Sequence, residues 1–446
     1  MLFRENKIID IFKFISVLLF LFVSVVSGVG VYQGSHFFSL DKDIVLCFKI
    51  SSILFIFFVF VGAKHINLKG FVPLFLFFVF ALGASFFSDN YFLSLKRFIL
   101  ILGEGAVVAI LMASYPDPKM VLRTLGYVLF GICIISLLWS LVVFVFGHWI
   151  DAEQGRSIRS IEIFNVSYGY SFGLRDIGFL NLLWERPAGV TSNPNSLAVY
   201  SVFLLFLSFI FKGERSNYFI CFFIVSVIVS VIVLSRGQVI FILFSSFFYF
   251  LSFRDCPRVR VLLLMFSAGI PVFIAGFVIW SSTLSYDIPF LSVNRVAGEE
   301  VFSINERALP WRVVLSDAMD HPLWGKGFGI VQESILEPAG VFSAAYSVPF
   351  SMLSELGVLG VICFYWFWFS PLIKFSFESP VTRERAVVGA LLVGIFVHQC
   401  FDSSVLRYHP FNSLFFILYG LLLNPKLSAG ADRSGLATKE VGFGRV

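Results

Sequence analysis

The feature that most constrains this chain is its succession of apolar runs, each close to the roughly 17–25 residues that cross a bilayer as a helix. They fall near 12–33, 44–63, 71–87, 98–114, 122–147, 196–211, 217–234, 238–253, 261–280, 347–370, 386–401 and 411–424, about twelve in all. In lipid such segments must satisfy every backbone N–H and C=O internally, which selects helices over open strands. With 58% hydrophobic and 14% charged residues and a mean hydropathy of +0.90, no water-soluble core could take up so much apolar surface. The predicted fold class is therefore an all-α polytopic membrane protein. The first run follows Arg4, Lys7 and Lys13 and resembles a signal peptide, but it lacks a small-residue cleavage site and further runs follow, so it reads as a retained helix.

Lysine and arginine in the short links set the expected orientation. With a cytoplasmic amino terminus, that side receives Lys64, Lys69, Lys119, Arg123, Lys212, Arg215, Arg254, Arg258, Arg260, Lys374, Arg383, Arg385 and the tail from Lys426. Two long segments, about 148–195 and 281–345, then lie on the opposite side. The net charge of +5 is accounted for by cytoplasmic links facing anionic headgroups, so nucleic acid is not needed to explain it. Neither long segment contains a cysteine, and no disulfide framework is expected. The division is one transmembrane domain, 1–425, including both long segments, and a cytoplasmic tail, 426–446, expected to be disordered.

The segment from Ser281 to Ala345 is too long for an ordinary connection and reads as the working face. Along this side stand arginines where the charge rule makes them scarce: Arg186, Arg236, Arg312 and Arg407. Arginine stays ionised and presents a fork of donors that fits phosphate oxygens, so a boundary cluster suits a lipid-linked phosphate or diphosphate. Each could also snorkel or pair with a loop carboxylate, but Arg236, in a tight hairpin, is held near hydrocarbon, where a charge is expensive. Asn193 and Asn195 open the following span, where they can cap it and offer amides to sugar hydroxyls. The stretch Glu306 to Gly329 reads as a short amphipathic helix ending at Pro322, with Trp311 to Met319 on the membrane surface, followed by a glycine turn that is a weak phosphate-cradle signal. His321 is the histidine of this loop; His398, Asp402 and His409 flank the penultimate span.

In this order the blocks resemble the O-antigen ligase and O-antigen polymerase superfamily of bacterial polytopic glycosyltransferases. The resemblance runs from about Ser88 to Gly360. It is carried by Ser88-Asp89-Asn90, Arg186 to Ala198, Leu234-Ser235-Arg236-Gly237, Trp311 to Gly327, and Glu355-Leu356-Gly357-Val358-Leu359-Gly360. It implies metal-independent, cofactor-free, inverting transfer of a glycan from an undecaprenyl-diphosphate carrier at the periplasmic face of the inner membrane. The acceptor would be a second lipid-linked glycan, or lipid A-core in a ligase, and a chain-length regulator is an expected partner. Arg186, Arg236, Arg312 and Arg407 would hold the diphosphate, and Asn193, Asn195 and Glu355 the glycan. His321 and Tyr346 would assist the acceptor. Ligases of the family carry a His-Asn pair where this chain has Tyr346-Ser347, which favours the polymerase type. A lipid-linked oligosaccharide flippase is the alternative of another class, but it should carry charge at membrane depth and related halves.

Overall fold

A computed structural model describes residues 30–33, 36–39, 68–152, 156–163, 166–171, 174–177, 182–185, 187, 189–191, 194–212, 216–233, 235–254, 256–284, 304–331, 335, 346–402, 405–406 and 410–428. Its body is a helical bundle. The helices are α1 (Val72–Phe86), α2 (Tyr91–Phe98), α3 (Glu104–Ser114), α4 (Pro118–Phe146), α5 (Pro194–Ser208), α6 (Ser216–Val233), α7 (Arg236–Ser252), α8 (Pro257–Leu284), α9 (Ile304–Asp320), α10 (Val348–Ser376), α11 (Arg383–Gln399) and α12 (Pro410–Leu423). A π-helical turn, Ile99–Gly103, joins α2 to α3. Among the described residues, 7 helices are long and apolar enough to cross a membrane, and Gly237–Ser252 and Phe411–Leu423 are shorter apolar helices. The expected spans at 12–33 and 44–63 lie outside the described residues, apart from a strand at the end of the first.

Local chemistry starts several of these helices. Asn90 accepts from the Leu93 amide, Asp117 from Met120 with Pro118 at the first helical position, and Thr382 from Arg385. Each satisfies an amide that the helix itself cannot.

Helix ends gather into two layers. One holds Lys119, Arg260, Arg383, Arg385 and Lys426, five of the residues on which the expected orientation rested. Here Lys119 meets Glu384 at 2.9 Å, and Arg383 donates to the Lys212 carbonyl. Arg385 pairs with Glu378 at 2.9 Å and also donates to the Leu422 carbonyl, while the buried Arg260 reaches the Glu378 carbonyl at 3.3 Å. Burial pushes the Glu378 carboxyl above its ordinary range, against the pull of Arg385, Lys374 and Arg260. Asn424 closes the layer by donating to the Met112 and Tyr115 carbonyls.

The centre of the bundle is α5, α11 and α12, whose side chains are nearly all buried, whereas α4, α6 and α8 turn Leu141, Phe144, Val231, Phe266, Val272 and Phe273 outward. An outward ring of this kind is what lipid tails would cover. Inside, Trp368 stacks on Phe415 with centroids 4.2 Å apart and meets Phe396 edge-on at 5.4 Å. Gly394 lets α11 approach α7: a Cβ there would lie 2.3 Å from Phe241 Cδ2. Such contact over small residues is how helices associate where apolar burial alone offers no preference between protein and lipid.

The bundle is all-α, but the chain departs from that class in its links. Gly30–Gln33 (β1) and His36–Ser39 (β2) form a hairpin. His148–Ala152 (β3), Arg156–Ile163 (β4) and Val166–Ser171 (β5) form an antiparallel sheet, and Leu174–Ile177 (β6) pairs with Leu182–Glu185 (β7). The segment 148–185 is therefore not plain loop. It is rich in β-branched and aromatic residues, including the alternating Val166, Tyr168 and Tyr170, and too polar for hydrocarbon. Hydropathy scanning cannot see strands of this length.

Candidate functional site

Opposite the basic layer, two structural knots organise the segments that sequence reading singled out. The first is built from the glycine turn after α9. Gly325, Gly327 and Gly329 all have positive φ. A Cβ on Gly325 would lie 2.2 Å from the Glu355 backbone carbon, and one on Gly327 2.4 Å from Ser88 Cβ. The turn thus presses between α10 and the α1–α2 corner. The contact is reciprocal, because α10 breaks at Gly357 (φ 65, ψ −169) and a Cβ there would meet the Leu323 backbone at 2.5 Å.

Hydrogen bonds lock this interdigitation. Lys326 N donates to Ser354 O at 3.0 Å, Gly327 N to Glu355 O at 2.8 Å, and Val358 N, released by the break, to Pro322 O at 2.8 Å. Ser94 Oγ donates to Phe328 O at 2.8 Å, and Arg97 donates to Gly329 O. The Lys326 ammonium pairs with Asp317, which also accepts from Ser354 Oγ at 3.3 Å. The turn amides at 325 to 327 are therefore taken by protein carbonyls, and the turn is a clasp rather than a phosphate cradle. Glu355, expected among the glycan contacts, is fully buried behind it, with Oε1 accepting from the Val331 amide at 3.2 Å.

The second knot is a polar floor set below the end of α4. Gly189 (φ +62) rests on α4 so closely that a Cβ would fall 2.3 Å from Ser136 Cβ, and Val190 N donates to Ser136 Oγ at 3.4 Å. Ser136 lies well before the end of α4 at Phe146, so the segment leading into α5 is sunk about 15 Å below that end at 1.5 Å per residue. At this depth Ser235, the residue before α7, donates to Asn195 Oδ1 at 3.2 Å instead of capping its own helix. Gln238 donates to Ser201 Oγ at 3.0 Å, and Ser201 meets Ser230 at 3.0 Å, tying α5, α6 and α7 together.

The end of α11 completes the floor. A Cβ on Gly237 would lie 3.1 Å from both Cδ2 and Nε2 of the buried His398, and Gln399 Nε2 is 3.1 Å from His398 Nδ1. Gln399 Oε1 accepts from Val405 N at 2.8 Å, and Asn412 Oδ1 from Leu406 N at 3.2 Å. Leu406 takes a positive φ of 55, uncommon for a branched side chain, immediately before Arg407. Asn412 Nδ2 donates to Ile101 O at 3.0 Å, and Ser413 to Glu104 Oε1 at 3.0 Å. Ile101 lies one turn beyond Arg97, so an arc of hydrogen bonds runs from the clasp through α2 to the floor.

The predicted residues distribute as follows. Asn195 and the backbone of Arg236, at the first position of α7, come together on the floor. The side chains of Arg236 and Arg312 lie outside the described residues, as do Arg186, Asn193, Arg407 and His409 altogether. His321 directly follows α9 with its side chain exposed, and its carbonyl accepts from Gly325 N at 3.1 Å. Tyr346 is half-buried at the start of α10 with φ 49, a backbone state that is costly for an aromatic residue and more frequent at functional sites. Asp402 is half-buried just beyond α11. Gln399, Gln238, Ser201 and Asn412 were not singled out from sequence; a polar amide inside or beside an apolar run was the available signal. Among the described residues no group of three or more His, Cys, Asp or Glu is placed to hold a metal ion.

Comparison with known proteins leaves these assignments to the geometry and chemistry: no protein-family model matches the chain, and no curated protein matches it.

Proposed function

We propose that this protein is a membrane-embedded glycosyltransferase. In this reading it takes a glycan from an undecaprenyl-diphosphate carrier at the face opposite the basic layer, and it most closely suits the polymerisation of O-antigen or a related repeat unit. The acceptor hydroxyl would attack the anomeric carbon, the bond from that carbon to the diphosphate would break with inversion, and the hydroxyl proton and carrier diphosphate would be released. The observation that carries the reading is the meeting of two blocks of the resemblance, Asn195 at the start of α5 and Ser235-Arg236-Gly237 at the start of α7, on one sunken polar floor. A charge-bearing helix start at this level suits a lipid-linked anion whose tail stays in the bilayer. Proteoliposomes supplied with a purified lipid-linked repeat test it: longer glycan supports polymerisation, glycan on added lipid A-core identifies a ligase, and movement across the bilayer without new bonds identifies a flippase.

The proposed orientation, with the basic layer cytoplasmic in the bacterial inner membrane, has its own test. A cysteine replacing the exposed Asp320 should react with a membrane-impermeant maleimide in cells whose outer membrane alone is opened, while the exposed native Cys256 should react only after the inner membrane is permeabilised. The opposite labelling pattern would invert the active face.

A further inference from the structure

The basic layer carries more positive charge than its own carboxylates can answer. The α7–α8 turn with the start of α8, and the stretch from the end of α10 into α11, supply Arg254, Arg258, Arg260, Lys374, Arg383 and Arg385 against Asp255, Glu378 and Glu384. Glu384 is also shared with Lys119, at 2.9 Å, from the start of α4. Glu378 is where the two stretches meet. Arg385 pairs with its carboxylate at 2.9 Å, both terminal nitrogens of Arg260 reach its carbonyl at 3.3 Å, and Lys374 acts on the carboxylate from one turn earlier. Burial works against the charge of that carboxylate, so it is a poor counterweight to three cations.

Below these charges the surface is apolar. The Arg260–Glu378 contact and the donation of Tyr365 Oη to Ala268 O at 3.1 Å tie α8 to α10 at two levels. Along this seam both helices turn apolar side chains outward. Leu262 and Met265 follow Arg258 by four and seven residues, on its face of α8, and Trp366 and Ile373 share one face of α10, with Phe377 just beyond its end. Arg258 and Lys374 are themselves exposed. A soluble anion could use only the charges; a phospholipid uses the charges and the apolar lane beneath them.

We infer that the α8–α10 seam is a binding site for a phospholipid with an anionic phosphate headgroup, with Arg258 and Lys374 meeting the phosphate and the acyl chains lying along Leu262, Met265, Trp366 and Ile373. Basic positions between membrane helices at one membrane surface recognise lipid headgroups in this way. The lipid would be held there whichever reaction the opposite face performs. A cation beside an anionic headgroup is worth about fivefold in affinity, so the pair is worth about 25-fold.

Trp366 is the reporter. Brominated acyl chains quench tryptophan on contact, and the contribution of Trp366 is the difference between wild type and Trp366→Phe in the same proteoliposomes. Brominated phosphatidylglycerol should quench that component at about a 25-fold lower mole fraction than brominated phosphatidylcholine. The double variant Arg258→Ala, Lys374→Ala should lose this preference, and Lys374→Gln alone should weaken it about fivefold. Lys69→Ala should leave it unchanged: Lys69 is exposed beside the end of α12, where a Cβ on Gly70 would meet Leu423 at 3.1 Å. Equal quenching of wild type by the two lipids overturns the inference, and so does an equal loss in Lys69→Ala, which would make the preference a property of the whole layer. Abolition of the preference by added inorganic phosphate would replace the lipid with a soluble anion. Quenching of Trp366 by neither lipid would give the seam to another copy of the chain.

Discussion

Arg236→Ala protein should insert normally and yet transfer glycan at least about 100-fold more slowly than wild type, the scale expected when a preorganised positive donor to a leaving group is lost. Arg236 occupies the first turn of α7, where unpaired helix amides already favour an anion, and the neighbouring Ser235 side chain is turned away to Asn195. Arg186 should show the same loss. Lysine at either position should restore only part of the rate, because a point charge cannot reproduce the guanidinium fork. Glycan length and amount, normalised to membrane-inserted protein, provide the measurement. Near-wild-type glycan from both alanine proteins would remove the diphosphate site from this face.

Gly357→Ala should strongly destabilise the clasp. With φ 65 and ψ −169 the residue sits in a region essentially restricted to glycine, and the new Cβ would meet the Leu323 carbonyl at 2.5 Å, where backbone cannot yield cheaply. Strain and overpacking together should cost about 2–5 kcal/mol. The readout is a lowered melting temperature in detergent and faster proteolysis near residues 321–331. An unchanged melting curve would mean that α10 can continue through this position as an unbroken helix. Gly83, where a Cβ meets nothing within 4 Å, is the matched control.

Hydrophobic length made the bundle readable, since the span expected at 217–234 is α6 at Ser216–Val233 and that at 411–424 is α12 at Pro410–Leu423. The pattern fails where polarity is satisfied by a distant partner. The span expected from 98 begins at Tyr91, because Arg97 is held by the Gly329 carbonyl and does not end the helix. The long loop shows the same limit: its glycines announce a turn, but that they lie against a break in α10 depends on a match between Gly325 and Gly357 that neither position displays alone. On the floor, Arg236 and Asn195 stand out by residue type at a span end. Gln399 does not, because its importance comes from holding Val405 with one atom and His398 with the other.

The helices whose ends build the floor are short. Those of α7, α11 and α12 have 17, 17 and 14 residues, so they run about 21–26 Å, less than the roughly 30 Å of a bilayer's hydrocarbon. The floor is accordingly bounded on its flanks by a medium of low dielectric constant, where dissolved ions do not gather. Screening over the usual 8–10 Å Debye length applies to charges in free solution. Ionic strength should therefore govern how readily an anionic headgroup approaches the floor and leave its hold there almost untouched.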